Sequence, residues 1–422
     1  MTIVAAAAIV VAFVAAVLLA QPASRRTGLG IWHPAIAWLA LEALFFGIGS
    51  TILALGASRT GPAWDVAASV AAFGAAVAVS NRLAARPING REPAQEAQSG
   101  PVPDIRWPVV LVMVAAGIAA LVPTLLSVGI PALASDVTGA RTAIGGLEVQ
   151  VARVAVPAAL VASVVLTAAG GGRRPGRQRL LAWSGVVIAV VAEVALASRY
   201  LAAEVAAALV IGLALAHRPI AGRLLAAGLV VGAVLFAVVG VFRAYGEAAG
   251  DPLGFAVDRS VNRVLLIEPR TLDAIQTAIP SEVPYFGGLT WVRRLAPLLG
   301  RDDVPNLGYW IYPRLFPGQT TPGYAAPGIL GEAWANFGPI GVVVPAALGV
   351  FAERLGALVA VRRRSAADVT AGALAILFLA RTHAVGLIGL AVLIVLVVTW
   401  RILAAPIHGL GADVARTLRW QV

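Results

Sequence analysis

The chain has no cysteine among its 422 residues, which excludes a disulfide framework and any thiolate metal site. It has no lysine either. All 32 basic residues are arginine, and beside so much Ala, Gly, Val and Pro this reads as GC-rich coding bias. Charge is scarce: 13% of residues are charged, where a soluble domain carries about a quarter. Internal repeats are missing. So are a basic residue ahead of the first apolar run and a convincing small-residue cleavage pattern. That run therefore reads as a retained span and not as a removed signal peptide.

What is present is apolar. Hydrophobic residues make up 59% of the chain and the mean hydropathy is +0.87. Many runs reach the roughly 20 residues that cross a bilayer, and they lack the ten-residue alternation of a membrane β-barrel. The sequence predicts an all-α polytopic integral membrane protein with about eleven transmembrane helices, within a range of ten to thirteen. The spans fall near 3–20, 35–56, 63–80, 107–130, 152–170, 180–198, 201–217, 222–241, 328–352, 366–380 and 384–401. Residues 1–422 form one polytopic domain, with a large external loop at 242–327 and a cytoplasmic interfacial tail at 402–422.

A net charge of +11 in such a chain reports the positive-inside rule, not nucleic-acid binding. Arginines cluster in every second connection: Arg25 and Arg26; Arg82, Arg86, Arg91 and Arg106; Arg173 to Arg179; Arg218 and Arg223; Arg362 to Arg364. Those connections are expected in the cytoplasm, which leaves the N-terminus outside and the C-terminus inside. The long loop then lies outside and is formally neutral. Within it, Phe255 to Ile267 and Pro269 to Ile279 read as short amphipathic helices, the second with Pro at its first position. Pro280 to Gly323, rich in Pro, Gly and aromatics, reads as an irregular lid. Leu403, Ile407, Leu410, Val414 and Leu418 recur at helical spacing with Trp420 beyond them, the pattern of a helix lying on the inner leaflet.

One stretch concentrates polar groups where they are expensive. In PGYAAPGILGEAWANFGPIG (322–341), Glu332 and Asn336 stand one helical turn apart in an apolar helix. The topology brings Arg199, Arg243, Arg381 and His383 to the same outer level. Arginine forks suit phosphate, and a carboxylate beside them suits general-base work on a hydroxyl. Each residue also has a plainer reading. Arginine at a helix end is commonly an interfacial anchor, Glu332 suits a structural ion pair, and His383 suits a polar turn. Asp302 and Asp303 read as solvated, since the ligand set for a metal is incomplete. No metal or cofactor is expected. Glu42 and Glu193 lie in or near spans and are given no chemistry. Glu353–Arg354 reads as a cytoplasmic boundary.

The runs PYFGGLTWV (284–292), YPRLFPGQ (312–319) and PGILGEAWANFGPIG (327–341) follow one another in that order. In this the chain resembles the O-antigen polymerases (Wzy-type), the oligosaccharide repeat-unit polymerases. Gly331-Glu332, Asn336-Phe337-Gly338 and Gly341 match the family's Gly-Glu/Asn-Phe-Gly motif. Ser198-Arg199 and Arg243 match its outer arginines, and Gln319 stands where the family often has Lys. The resemblance implies a metal- and nucleotide-independent glycosyltransferase of the cytoplasmic (inner) membrane with an extracytoplasmic active site. Its substrate is an oligosaccharide linked to polyprenyl pyrophosphate, and its partners are the lipid bilayer and a flippase or chain-length regulator. By that resemblance Glu332 and Arg243 are the expected catalytic residues and Arg199 and Asn336 bind pyrophosphate or glycan; topology and residue type add His383 as a further catalytic candidate and Arg381, Arg314 and Tyr324 as further pyrophosphate- or glycan-binding candidates. Two other readings stay open: a glycosyltransferase using polyprenyl-phosphate sugars, and a flippase or transporter of lipid-linked oligosaccharide.

Overall fold

The computed structural model describes residues 2–57, 60–84, 199–216, 261–293, 300–301, 303–318, 323–362, 365–382 and 386–404, with scattered positions at 112–129, 154–165, 254 and 296. The described residues are helical, with no strand among them. Four helical stretches are long and apolar enough to cross a membrane: Thr2–Thr27, Pro34–Gly56, Gly61–Ala84 and Gly328–Val361. Two shorter apolar helices, Ala366–Ala380 and Gly389–Ala404, accompany them. The chain is a helical membrane protein. Most of the expected spans between 85 and 241, and the tail beyond Ala404, lie outside the described residues.

The chain divides into two compact units. The first takes its described residues from Met1–Glu92, Gly240–Ala357 and Phe378–Ala391. Here α1 (Thr2–Thr27) is followed by α2 (Pro34–Glu42), a π-helical turn (Ala43–Gly47) and α3 (Ile48–Ala57), and then by α4 (Gly61–Ala84). With lipid on the outside, apolar area alone does not hold helices together; close backbone approach does. Gly74 of α4 lies so near Ala16 of α1 that a methyl group would sit 2.6 Å from its Cα. Trp38 stacks on Phe73 at 3.9 Å between ring centroids. The buried His33 caps α2, its Nδ1 accepting the Ala35 N–H at 3.3 Å. Burial, and then the Arg26 charge, lower its pKa to about 4, so the ring stays a neutral acceptor.

The segment after a second π turn (Asn262–Leu266) bears out the second expected amphipathic helix and corrects the irregular lid expected at 280–323 in one place, Leu307–Leu315, which is helical. It holds α6 (Ile267–Ala278) and α7 (Leu307–Leu315) and builds a core of its own. Ile275, Ile279, Phe286, Leu307, Ile311 and Ala335 are buried together, with Trp310 and Trp334 packed against them. The helix expected from Pro269 begins at Ile267 and continues directly from the π turn, so Pro269 lies within a continuous helical stretch, where a residue without an N–H leaves a preceding carbonyl without its helical donor.

The span expected at 328–352 is also corrected. A straight helix over Gly328–Val361, 34 residues, would run ~51 Å against a hydrocarbon core of about 30 Å. The chain breaks instead. Helix α8 (Gly328–Phe337) stops at Gly338, whose φ of 59° and ψ of −140° favour a residue without Cβ. A 3₁₀ turn (Gly338–Val342) leads into α9 (Val343–Arg362). A methyl at Gly341 would lie 2.6 Å from the Ala333 carbonyl oxygen, whereas eight residues of straight helix would hold them ~12 Å apart. The chain therefore folds back at the 3₁₀ turn, which packs on α8, and α8 is a half-helix separate from α9.

The second unit draws on Pro93–Val239, Leu358–Leu377 and Val392–Val422. It contains α5 (Arg199–Leu215), whose Gly212 lies against Val161. It also contains the start of α10 (Ala366–Ala380) and the end of α11 (Leu387–Ala404). Ser365 caps α10 by accepting the Asp368 N–H at 3.1 Å, and Arg401 donates to Asp368 at 2.6 Å.

Candidate functional site

The first and third motifs of the sequence meet in the first unit. An α-helix leaves its last carbonyls unpaired. Those of α8 are taken by the 284–292 run: Phe286 N–H donates to the Ala335 carbonyl at 3.0 Å and Gly287 N–H to that of Asn336 at 2.9 Å. The Asn336 side chain fixes the same run. Its Oδ1 accepts from the Gly288 and Thr290 amides at 2.9 and 3.4 Å. Its Nδ2 donates to Thr290 Oγ1 at 2.5 Å and to the Glu332 carbonyl at 2.8 Å. An amide has two donors and two acceptor pairs, so the protein engages all of Asn336, and its observed part is to position the loop.

That loop delivers Trp291 to Glu332. The indole Nε1–H donates to Glu332 Oε2 at 3.0 Å, and the Leu387 amide donates to the same oxygen at 3.2 Å. Both donors are neutral. No cation stands within ion-pair distance of this carboxylate among the described residues. Oε1 lies against Gly386, where a Cβ would overlap the carboxylate. The carboxylate is thus aimed by two hydrogen bonds and a missing side chain, while Glu332 stays only half-buried. Phe337 meets Trp291 edge-on at 5.3 Å.

Tyr324 completes this side. It keeps 45% of its surface exposed. Yet its phenol pKa is raised to about 12, first by surrounding protein that crowds water from it, then by the Glu332 carboxylate and Tyr309. The Tyr324 ring packs against Gly308, where a Cβ would overlap it. Tyr309 crosses it edge-on at 5.2 Å.

The other expected site residues are dispersed. Arg381 is 6% exposed on the turn after α10. The turn is buried inside the first unit, where Thr382 contacts Trp38 and Glu42. Arg314 is exposed; it donates to Glu282 at 2.6 Å and lies over the Trp310 ring at 3.9 Å. Arg199 is the first described residue of α5, and the span expected to end at it lies outside the described residues. Arg243, His383 and Gln319 lie outside the described residues. Asp303 is held by Arg301 at 2.7 and 2.9 Å. No group of three or more His, Asp or Glu that would hold a metal occurs among the described residues.

Sequence reasoning missed Trp291 as the partner of Glu332, and Gly386 and Leu387 altogether. Trp291 stands within the quoted PYFGGLTWV run, so its signal was present. Nothing in the sequence sets Gly386 apart from the other glycines.

The fold defines a helical membrane protein in which, among the described residues, the Glu332 carboxylate is held by neutral donors. No family model, no curated protein and no solved structure matches the chain.

Proposed function

We propose that the chain is a polymerase of lipid-linked oligosaccharide repeat units, acting at the outer face of the cytoplasmic membrane. It transfers the growing glycan from polyprenyl pyrophosphate to a hydroxyl of the next lipid-linked unit. The observation that carries this reading is Glu332: a half-buried carboxylate on a broken membrane helix, held by neutral donors, with aromatic rings beside it. A carboxylate spent on a structural ion pair has a cation against it. This one is left able to accept a proton.

In the proposed step the acceptor hydroxyl oxygen bonds to the anomeric carbon, and the bond from that carbon to the pyrophosphate oxygen breaks. The proton passes to Glu332 and the lipid pyrophosphate leaves. General-base help of this kind contributes about 10²–10⁴-fold. Arginine is the residue suited to charge developing on the pyrophosphate, and Arg243, Arg199 and Arg381 are assigned that task with His383 beside them. Tyr324 and Tyr309 offer faces for sugar rings. The order of the three motifs, which resembles that of the repeat-unit polymerases, supports the same substrate class.

The test is purified protein in liposomes with a polyprenyl-pyrophosphate oligosaccharide, read as a ladder on a gel. A ladder is expected, lost in Glu332→Gln and Arg243→Ala variants that stay folded. Movement of labelled lipid-oligosaccharide across the vesicle without a ladder would replace this reading with transport. Extension by a single sugar from a polyprenyl-phosphate donor would replace it with that transferase class.

A further inference from the structure

The half-helix that carries Glu332 is held at its start by a group that the proposed chemistry does not use. Thr382 is fully buried, as are Trp38 and Glu42. Its Oγ1 accepts the Trp38 indole N–H at 2.6 Å and donates to Glu42 Oε1 at 3.2 Å. Trp38 and Glu42 stand four apart on α2, one turn, so both face the same hydroxyl. The Thr382 carbonyl accepts the Ile329 N–H at 2.8 Å. That amide is among the first of α8, which have no partner within the helix. Five residues after Thr382, the Leu387 amide reaches Glu332, three residues after Ile329. Thr382 and Leu387 thus hold α8 at two points about one helical turn apart, and the Thr382 hydroxyl ties the first of them to α2.

We propose that Thr382 is a positioning residue for Glu332: its hydroxyl, clamped between Trp38 and Glu42, fixes the carbonyl that holds Ile329 at the start of α8, and with it where Glu332 meets Trp291 and Leu387. This rests on reading Glu332 as the proton acceptor. The physical argument is satisfaction. A hydroxyl that both accepts and donates inside an apolar bundle has one orientation, since rotating it would orphan a buried indole N–H and a buried carboxyl oxygen. Placement errors near 1 Å in a reacting group cost on the order of 100-fold in rate, so a clamp this far from the chemistry acts on turnover.

The variants are Thr382→Val, which keeps shape and the backbone bond to Ile329, and Thr382→Ser, which restores the hydroxyl. Two readouts are taken on the full chain in nanodiscs. The first is polymer formation from the lipid-linked unit, resolved into kcat and KM. The second is the ¹H–¹⁵N indole spectrum of the ten tryptophans, with Trp291 assigned by Trp291→Phe. In Thr382→Val we expect kcat to fall about tenfold or more with KM unchanged. The Trp291 indole signal should move toward its position in Glu332→Gln, and Thr382→Ser should reverse both. A Thr382→Val protein with lowered Tm but unmoved kcat and Trp291 signal would overturn the proposal. If Thr382→Val does not fold, Trp38→Phe decides by the same signal: moved supports the clamp, unmoved overturns it. If the wild-type chain forms no polymer, the proposed function fails, and the Trp291 signal still decides the role of Thr382.

Discussion

Glu332 and Glu353 lie on one apolar stretch, and the protein treats them in opposite ways. Glu353 is fully buried and surrounded by compensation. Arg26 of α1 pairs with its Oε1, Ser80 of α4 donates to Oε2 at 2.7 Å, and Arg354 lies 3.6 Å from Oε2. Every partner comes from a neighbouring element or the next residue, so the carboxylate knits α1, α4 and α9 together. Among the described residues Glu332 has neutral donors alone, and it is only half-buried. Taking a charge out of water costs several kcal/mol unless geometry repays it. At Glu353 the repayment is a cation. At Glu332 it is partial, and the remainder is a carboxylate still open to a proton.

The largest expected effect breaks the comparison most directly. Glu332→Gln keeps size and hydrogen-bonding capacity and removes the base. Polymer formation should fall by about 10²–10⁴, with the melting temperature little changed. Glu353→Gln should do the reverse: a less stable protein whose surviving folded fraction polymerises at the wild-type rate. A dead but fully stable Glu353→Gln would mean the two carboxylates had been assigned the wrong way round.

Next comes the cation on the structural side. Arg26→Ala strands Glu353 in the interior. Removing one partner of a buried pair costs about 3–5 kcal/mol, and because the Arg26 side chain is 32% exposed the lower end of that range applies. Adding Glu353→Gln to Arg26→Ala should recover part of the loss. A double-mutant cycle by thermal or denaturant unfolding in detergent reads the coupling. Coupling near zero would remove Glu353 as the structural half of the comparison.

Gly386→Ala sharpens the functional side. One methyl would occupy the space of the Glu332 carboxylate, so either Glu332 turns away or the backbone at Gly386 shifts. Overpacking costs about 1–3 kcal/mol, and the rate should drop more than stability does. Wild-type kcat in this variant would show that Glu332 need not sit where Trp291 and Leu387 hold it.

Much of the fold was legible in the sequence because hydropathy is a local signal. The limits of α2–α3, α4 and α10 follow their apolar runs within a few residues. The half-helix was not legible: the run from Gly328 continues without interruption in hydropathy, and one left-handed glycine, Gly338, reverses the chain. Helix α7 was hidden by Pro313 and by aromatic residues that blur the helical period in YWIYPRL. In the site, Glu332 stood out because an acid in an apolar helix is costly wherever it lies. Its partners did not, since Trp291 and Leu387 are 41 and 55 residues away along the chain. Glu353 reads as a boundary charge because Arg26, 327 residues distant, gives no local sign of pairing with it. Sequence locates a costly group; only the fold shows whether a cation repays that cost.

The smallest effect tests an arginine whose residue type suits either half of the comparison. Arg314 matches the basic Pro segment of the resembling polymerases, yet its guanidinium is shared between Glu282 and the Trp310 face. The pair is exposed, with side-chain exposures of 35% and 52%, and exposed pairs contribute about 0–1 kcal/mol. Arg314→Ala should therefore change stability by less than about 1 kcal/mol, and added salt should shrink the difference further. Its kinetic signature separates the two parts. Loss of an arginine that binds pyrophosphate in ground and transition states alike raises KM without lowering kcat, and Arg314→Lys would not restore a forked contact. Loss of an arginine that only braces α7 against Glu282 leaves both constants alone, and Glu282→Gln reproduces its small stability change. With Glu282 already on its guanidinium we expect the second pattern, so that Arg314, like Glu353, belongs with the paired charges and Glu332 stands apart.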